Sequence, residues 1–179
     1  MGWKRVKERY DIRHIVHVSD GNLQIGSPYI SDLIVVAPDG SFVKSYQHLS
    51  GDLLRYQQAI EADPAEFARL FVEKDEFERS IPVYTYRTYK GAEIIETACE
   101  EFGWPNVTHD GQVMYDNTYF LDRDKAVAAA RKDAAAGLEW ARERLETARK
   151  ELAKVEKDVV DAEAVVKAFG EPGSPGPAA

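Results

Sequence analysis

The sequence predicts an α+β protein: a small antiparallel sheet with two short helices, followed by a long C-terminal coiled-coil helix. Three observations predict it. Short runs of β-branched and aromatic residues alternate with tight-turn signals over the first two thirds of the chain. No regular strand–helix–strand alternation occurs, so the strands pair antiparallel. From Leu138 onward, apolar residues then recur by threes and fours without a slip. They are Leu138, Ala141, Leu145, Ala148, Leu152, Val155, Val159, Ala162, Val166 and Phe169. That spacing is the a/d seam of a coiled coil. The expected organisation is an α+β globular domain over residues 1–121, a long helix over 122–169 and a disordered Pro/Gly-rich tail over 170–179.

The elements follow in order. Ile12 to Val18 reads as a strand, Asp20-Gly21 as its turn and Leu23 to Gly26 as the return strand. Leu33 to Ala37 is a short apolar run. Pro38-Asp39-Gly40 turns the chain, because Pro fixes φ and Gly supplies φ > 0, and Phe42 to Tyr46 completes that hairpin. Ser50 is placed to cap a helix carrying Leu53, Leu54, Gln57 and Ile60. Asp63, Pro64 and Glu66 mark a second helix start, with Phe67, Leu70 and Phe71 on one face. Pro82 to Tyr89 alternates as a strand, with Tyr84 and Tyr86 on one face. Lys90-Gly91 is a turn, and Glu93 to Thr97 is the partner strand. His109-Asp110-Gly111 is a further turn, before a short strand from Gln112 to Tyr115.

The long helix starts at Asp122, a good N-cap, and stops at Gly170, followed by Pro172. Only Gly137 interrupts it, at a cost of about 1 kcal/mol relative to Ala. Roughly 48 residues span about 70 Å. A compact domain of the preceding length has a radius of gyration of about 14 Å and cannot cover such a helix. The distal half therefore projects, folds back at Gly137 or meets a partner.

Flanking charges discriminate among partners. A parallel homodimer sets Arg144 against Arg149, Glu151 against Glu156 and Asp158 against Glu163, all like-charged. An antiparallel homodimer sets Arg142 against Glu163 and Arg149 against Glu156, both attractive, although Glu151 then meets Asp158. Each exposed pair contributes only ~0.2–1 kcal/mol, but orientation depends on the difference. The expectation is an antiparallel homodimer with α+β domains at its ends, in which Leu145 meets Ala162 and Leu152 meets Val155. The alternative is that the seam packs on the protein's own globular part or its other helices.

Composition excludes several function classes. Net charge is -8, against nonspecific binding to nucleic acid backbones or anionic membranes. No stretch is long and apolar enough for a membrane helix, and the basic N-terminus lacks the apolar core of a secretory signal. Cys99 is the single cysteine, so no intrachain disulfide forms. A cytoplasmic protein is expected.

No catalytic motif stands out. The histidines are His14, His17, His48 and His109. His14 and His17 fall three apart in an expected strand, which sends them to opposite faces and argues against a shared metal. Nothing flanking Cys99 resembles a nucleophile's signature, and Glu100 with Glu101 reads as a solvated edge. Neither a metal nor a cofactor is expected. The densest mixture of aromatic, amide, imidazole and carboxylate groups runs from Trp104 to Tyr119. Within it Trp104, Asn106, His109, Asp110, Tyr115 and Tyr119 are the candidate partner- or ligand-binding residues. Trp104, Tyr115 and Tyr119 suit stacking on a planar ligand or a protein hot spot. The competing reading is a structural loop between sheet and long helix.

The segment from Trp104 to Thr118 (WPNVTHDG followed by MYDNT), set between an α/β part and a long Ala/Glu/Lys/Arg helix, resembles small proteins of bacteriophages and prophages. The resemblance brings no catalytic residues. It implies an accessory protein that binds and disables a host protein, components of antiviral defence among them. The expected function is therefore non-enzymatic: a dimer that inhibits or sequesters a host protein. A small-ligand or nucleotide-binding module with its site near Trp104 to Tyr119 is the alternative.

Overall fold

The computed structural model describes residues 1–47 and 51–169. Its elements are α1 (Trp3–Arg9), β1 (Ile15–Ser19), β2 (Asn22–Gly26), β3 (Ile34–Val36), β4 (Phe42–Lys44), α2 (Gly51–Ala62), α3 (Pro64–Val72), β5 (Ile81–Arg87), β6 (Glu93–Cys99) and α4 (Arg123–Phe169). The fold is α+β, with an antiparallel four-stranded sheet in the order β1-β2-β3-β4 and a separate β5-β6 hairpin. Two compact units divide the chain, Met1–Ala130 and Arg131–Ala179.

Residue alternation builds the core of the first unit. Val16 pairs with Ile25 and Ile25 with Ile34; Val18 pairs with Leu23 and Leu23 with Val36. These two cross-strand rows form one apolar sheet face. Trp3, Val6 and Tyr10 of α1 and its end, Tyr56 and Ile60 of α2, and Phe67 and Phe71 of α3 pack in the same buried cluster. Asp20 and Gly21 join β1 to β2 with φ of 51° and 76°. Two positive φ values in succession match the right-handed strand twist of a two-residue hairpin. A smaller cluster of Val83, Cys99 and Met114 fills the base of the β5-β6 hairpin.

Helix starts follow local chemistry where it exists. Asp63 accepts the Glu66 amide at 3.0 Å, with Pro64 opening α3. Asp122 accepts the amides of Asp124 at 2.7 Å and Lys125 at 3.3 Å and so caps α4. The helix passes through Gly137 without folding back. The expected Ser50 cap, His48, the stop at Gly170 with Pro172, and the tail lie outside the described residues.

The structure corrects three expectations. There are three short helices among the described residues, not two, because α1 precedes the first strand. That strand begins at Ile15 rather than Ile12: the Arg13 amide donates to Tyr56 Oη at 3.0 Å, which takes it out of the ladder. His14 therefore precedes the strand that carries His17. Gln112 to Tyr115 forms only an isolated bridge, Val107 to Val113, because the chain on either side is engaged in turns.

Candidate functional site

The Trp104–Tyr119 segment is a loop system stitched to the edge of β1. The Val18 amide donates to the Gly111 carbonyl at 2.8 Å, and Gln112 Nε2 donates to the Val18 carbonyl at 3.2 Å. Gly111 has φ of 90°, and a Cβ there would lie 2.7 Å from Val18 Cγ2. Only glycine satisfies both the turn and the close approach.

The six candidate residues separate into distinct surroundings. Trp104 and Tyr115 come together. With His17, Ser27, Tyr29 and Ser31 they line a pocket of about 160 Å³. Its rim is exposed: Tyr29 is 96%, Tyr115 52% and Trp104 40% accessible. His17 is buried, and its Nε2 lies 3.0 Å from the Ser31 carbonyl. Asn106 lines a different and larger cleft.

His109 and Asp110 are held by structural contacts. The His109 ring stacks on Phe77 with centroids 3.7 Å apart and planes 5° from parallel, and its Nε2 lies 3.1 Å from the Arg79 carbonyl. Asp110 Oδ1 accepts from Thr97 Oγ1 at 2.9 Å and Thr108 Oγ1 at 2.6 Å, fastening the loop to β6. Tyr119 is half-buried against the Val83 cluster. Burial, aided by the Asp110 charge, pushes its phenol up to about 12. Cys99 is fully buried and burial pushes its thiol up, the reverse of an activated nucleophile.

Sequence reasoning missed the larger cleft, about 720 Å³, between α1 and the segments around Glu78 and Glu100. Lys4 donates to Glu100 Oε1 at 2.8 Å, and Glu100 also accepts the Glu78 amide at 2.7 Å. Its hydrogen bond to Glu100 raises the Lys4 ammonium above its ordinary value. Burial pushes the Glu100 carboxyl up, but Lys4 and the Glu78 amide together hold it below the usual range. Lys7 lines the same cleft, and burial lowers its ammonium. Glu8, Asp11, Glu78 and Glu101 offset Lys7, Arg13 and Arg79 there, so the cleft has no dominant sign. The signal for this wall was the Trp3, Val6, Tyr10 spacing of α1.

In the second unit, every described residue is exposed. The seam's first large residue, Leu138, is 53% accessible and its last, Phe169, 88%. Among the described residues Arg142, Arg149, Glu156 and Glu163 make no ion pair within the chain, whereas Lys150 bonds Glu146 at 2.7 Å.

Among the described residues no three His, Cys, Asp or Glu side chains gather as a metal site, and no helix is long and apolar enough to cross a membrane. Comparison with known proteins finds no family model, no curated protein and no solved structure that matches this chain.

Proposed function

We propose that this chain is a non-enzymatic interaction protein that homodimerises through α4 as an antiparallel coiled coil and binds a protein partner through its globular unit. The observation that carries this reading is the seam from Leu138 to Phe169, apolar, exposed and flanked by Arg142, Arg149, Glu156 and Glu163, which make no ion pair among the described residues. A helix with such a seam lowers its free energy by covering it. The flanking charges favour a second copy in antiparallel orientation. The exposed Tyr29, Trp104 and Tyr115 supply the residue types that dominate protein hot spots. The resemblance to small phage proteins implies a host protein as partner, a component of antiviral defence among the candidates, and action in the host cytoplasm. His109 and Asp110 are occupied in holding the loop, which favours binding over catalysis.

The test is capture from a bacterial lysate with the tagged wild type and with Trp104→Ala/Tyr115→Ala, followed by mass spectrometry. A stoichiometric protein held by the wild type and lost by a folded double variant supports the reading. A second reading, a small-ligand or nucleotide-binding module, is favoured by the aromatic-rimmed pocket itself. Release of a nucleotide-like chromophore from the purified wild type, with no protein partner, shifts the assignment to it.

A further inference from the structure

In an antiparallel coil each a residue faces a d residue of the other helix, and the registers that keep this pattern differ by whole heptads. We propose that α4 pairs with a second copy in the one register where Leu138 faces the partner's Phe169, with the two-fold axis crossing the coil between Leu152 and Val155. This rests on the self-pairing reading above and specifies its geometry.

The ends of the seam select the register. Leu138 and Phe169 are its first and last large residues, and both are exposed in the single chain. In the proposed register they cover each other, and every apolar position between them also meets an apolar one. A slip of one heptad in one direction brings Phe169 against the partner's Arg131, a cation in place of a leucine. The opposite slip carries Leu138 past the partner's Phe169, to face residues beyond the described helix. Either slip leaves apolar surface in water.

Charges near the axis differ between the registers. The slipped registers place like charges against themselves: Arg149 on the partner's Arg149 and Glu151 on the partner's Glu151 in the first, Glu156 on the partner's Glu156 and Asp158 on the partner's Asp158 in the second. The proposed register pairs Arg142 with the partner's Glu163 and Arg149 with the partner's Glu156. It keeps one repulsive contact type, Glu151 with the partner's Asp158. The first slip retains attractive pairs of its own, so the apolar ends decide between them.

One flank of the seam carries a cation–aromatic contact. The Arg144 guanidinium lies over the Trp140 ring, 4.8 Å from its centroid. Trp140, Arg144, Thr147, Ala148 and Glu151 line a groove of about 360 Å³ along the g side of the seam. In the proposed register the residue opposite Arg144 is the partner's Val165, the one apolar residue at a g position between Leu138 and Phe169. The slipped registers bring Asp158 or residues outside the described helix to Arg144 instead. The first slip would give Arg144 an opposite charge, so this flank does not select the register and the apolar ends do.

The test is directed disulfide formation in the full chain. Leu145→Cys in one tagged copy and Ala162→Cys in a differently tagged copy are co-expressed, purified and oxidised. Buried Cys99 stays silent, as a wild-type control verifies. The expected product is the mixed 145–162 disulfide, with neither variant cross-linking to itself. Self-linking of Leu145→Cys means a parallel coil and overturns the proposal. Preferential linking of Leu145→Cys to Val155→Cys or to Phe169→Cys means a slipped register and overturns it while the dimer survives. A wild type that sediments as a monomer at all concentrations overturns both the register and the self-pairing reading.

Discussion

Replacing Asp75 by Ala should destabilise the first unit out of proportion to the exposed segment it sits in. The α1 helix is only seven residues long, and its N-cap, Gly2, offers no side chain to its orphan amides. Asp75 supplies the cap from a distance: Oδ2 accepts the Lys4 amide at 2.8 Å and Oδ1 the Arg5 amide at 2.9 Å. These are the second and third helical positions, whose amides a local cap would normally take. Losing a cap costs about 0.5–2 kcal/mol, and losing an anion at a helix N-terminus about 0.3–1 kcal/mol more. The expected loss is therefore about 1–3 kcal/mol, a fall in Tm of roughly 4 °C per kcal/mol for a domain of this size. Asp75→Asn keeps an acceptor without the charge and should lose about half as much. The assay is urea unfolding followed by circular dichroism, comparing midpoints at constant slope. Because α1 buries Trp3 and Val6, Trp3 fluorescence should shift with the same midpoint. A loss below about 0.5 kcal/mol for Asp75→Ala would show that packing alone holds the helix, and would refute the reasoning.

Three further outcomes follow from named contacts. Alkaline pH should unmask Tyr119: its folded phenol is pushed up to about 12, above the value of about 10 for an unfolded tyrosine. The folded state then keeps a proton that the unfolded state releases. That stability is fully present below about pH 10 and is lost as pH rises through about 12. Tyr119→Phe should flatten this limb of the stability–pH curve, and an unchanged limb would refute it. Gly111→Ala should cost about 1–3 kcal/mol in chemical denaturation, from positive φ and the contact with Val18; a neutral result would mean the loop is not pinned to β1. In the proposed antiparallel dimer, reversing Arg142 and Arg149 to Glu turns attractive contacts repulsive at ~0.2–1 kcal/mol each. The dimer should weaken about tenfold or more at low salt and by less at high salt, read by sedimentation equilibrium; wild-type behaviour would defeat the charge argument.

Asp75 also marks the boundary of what the sequence discloses. Helix α3 was legible because Asp63, Pro64 and Glu66 lie within four residues of one another, and the Asp63 cap forms as read. Asp122 announced α4 in the same local way. The cap of α1 comes from the far side of α3, so no window around Trp3 contains it. What was local there, the spacing of Trp3, Val6 and Tyr10, is a single amphipathic turn pair. A stretch of that length does not hold a helix by itself in water. Ile12 to Val18 failed for a related reason: its composition favours strand throughout, but Tyr56 of α2 captures the Arg13 amide and shortens it.

The candidate site divides along the same line. Exposed aromatics were legible as residue types, and Trp104 and Tyr115 do share a pocket. Their neighbours His17 and Tyr29 come from β1 and the β2–β3 connection, so only the folded sheet edge unites them. His109 and Asp110 stood among the binding candidates, with imidazole and carboxylate side by side. Reactivity, however, requires a free lone pair or proton directed at a cavity. Phe77 and the Arg79 carbonyl hold the imidazole, while Thr97 and Thr108 hold the carboxylate. These four lie outside the His109-Asp110-Gly111 turn, three of them on other segments. The second unit is the opposite case. Its information is one-dimensional: heptad position alone assigns each side chain to seam, flank or outer face. The described α4 keeps that assignment unbroken from Leu138 to Phe169. The part of this molecule whose partner can be argued residue by residue is therefore the part with the simplest local structure.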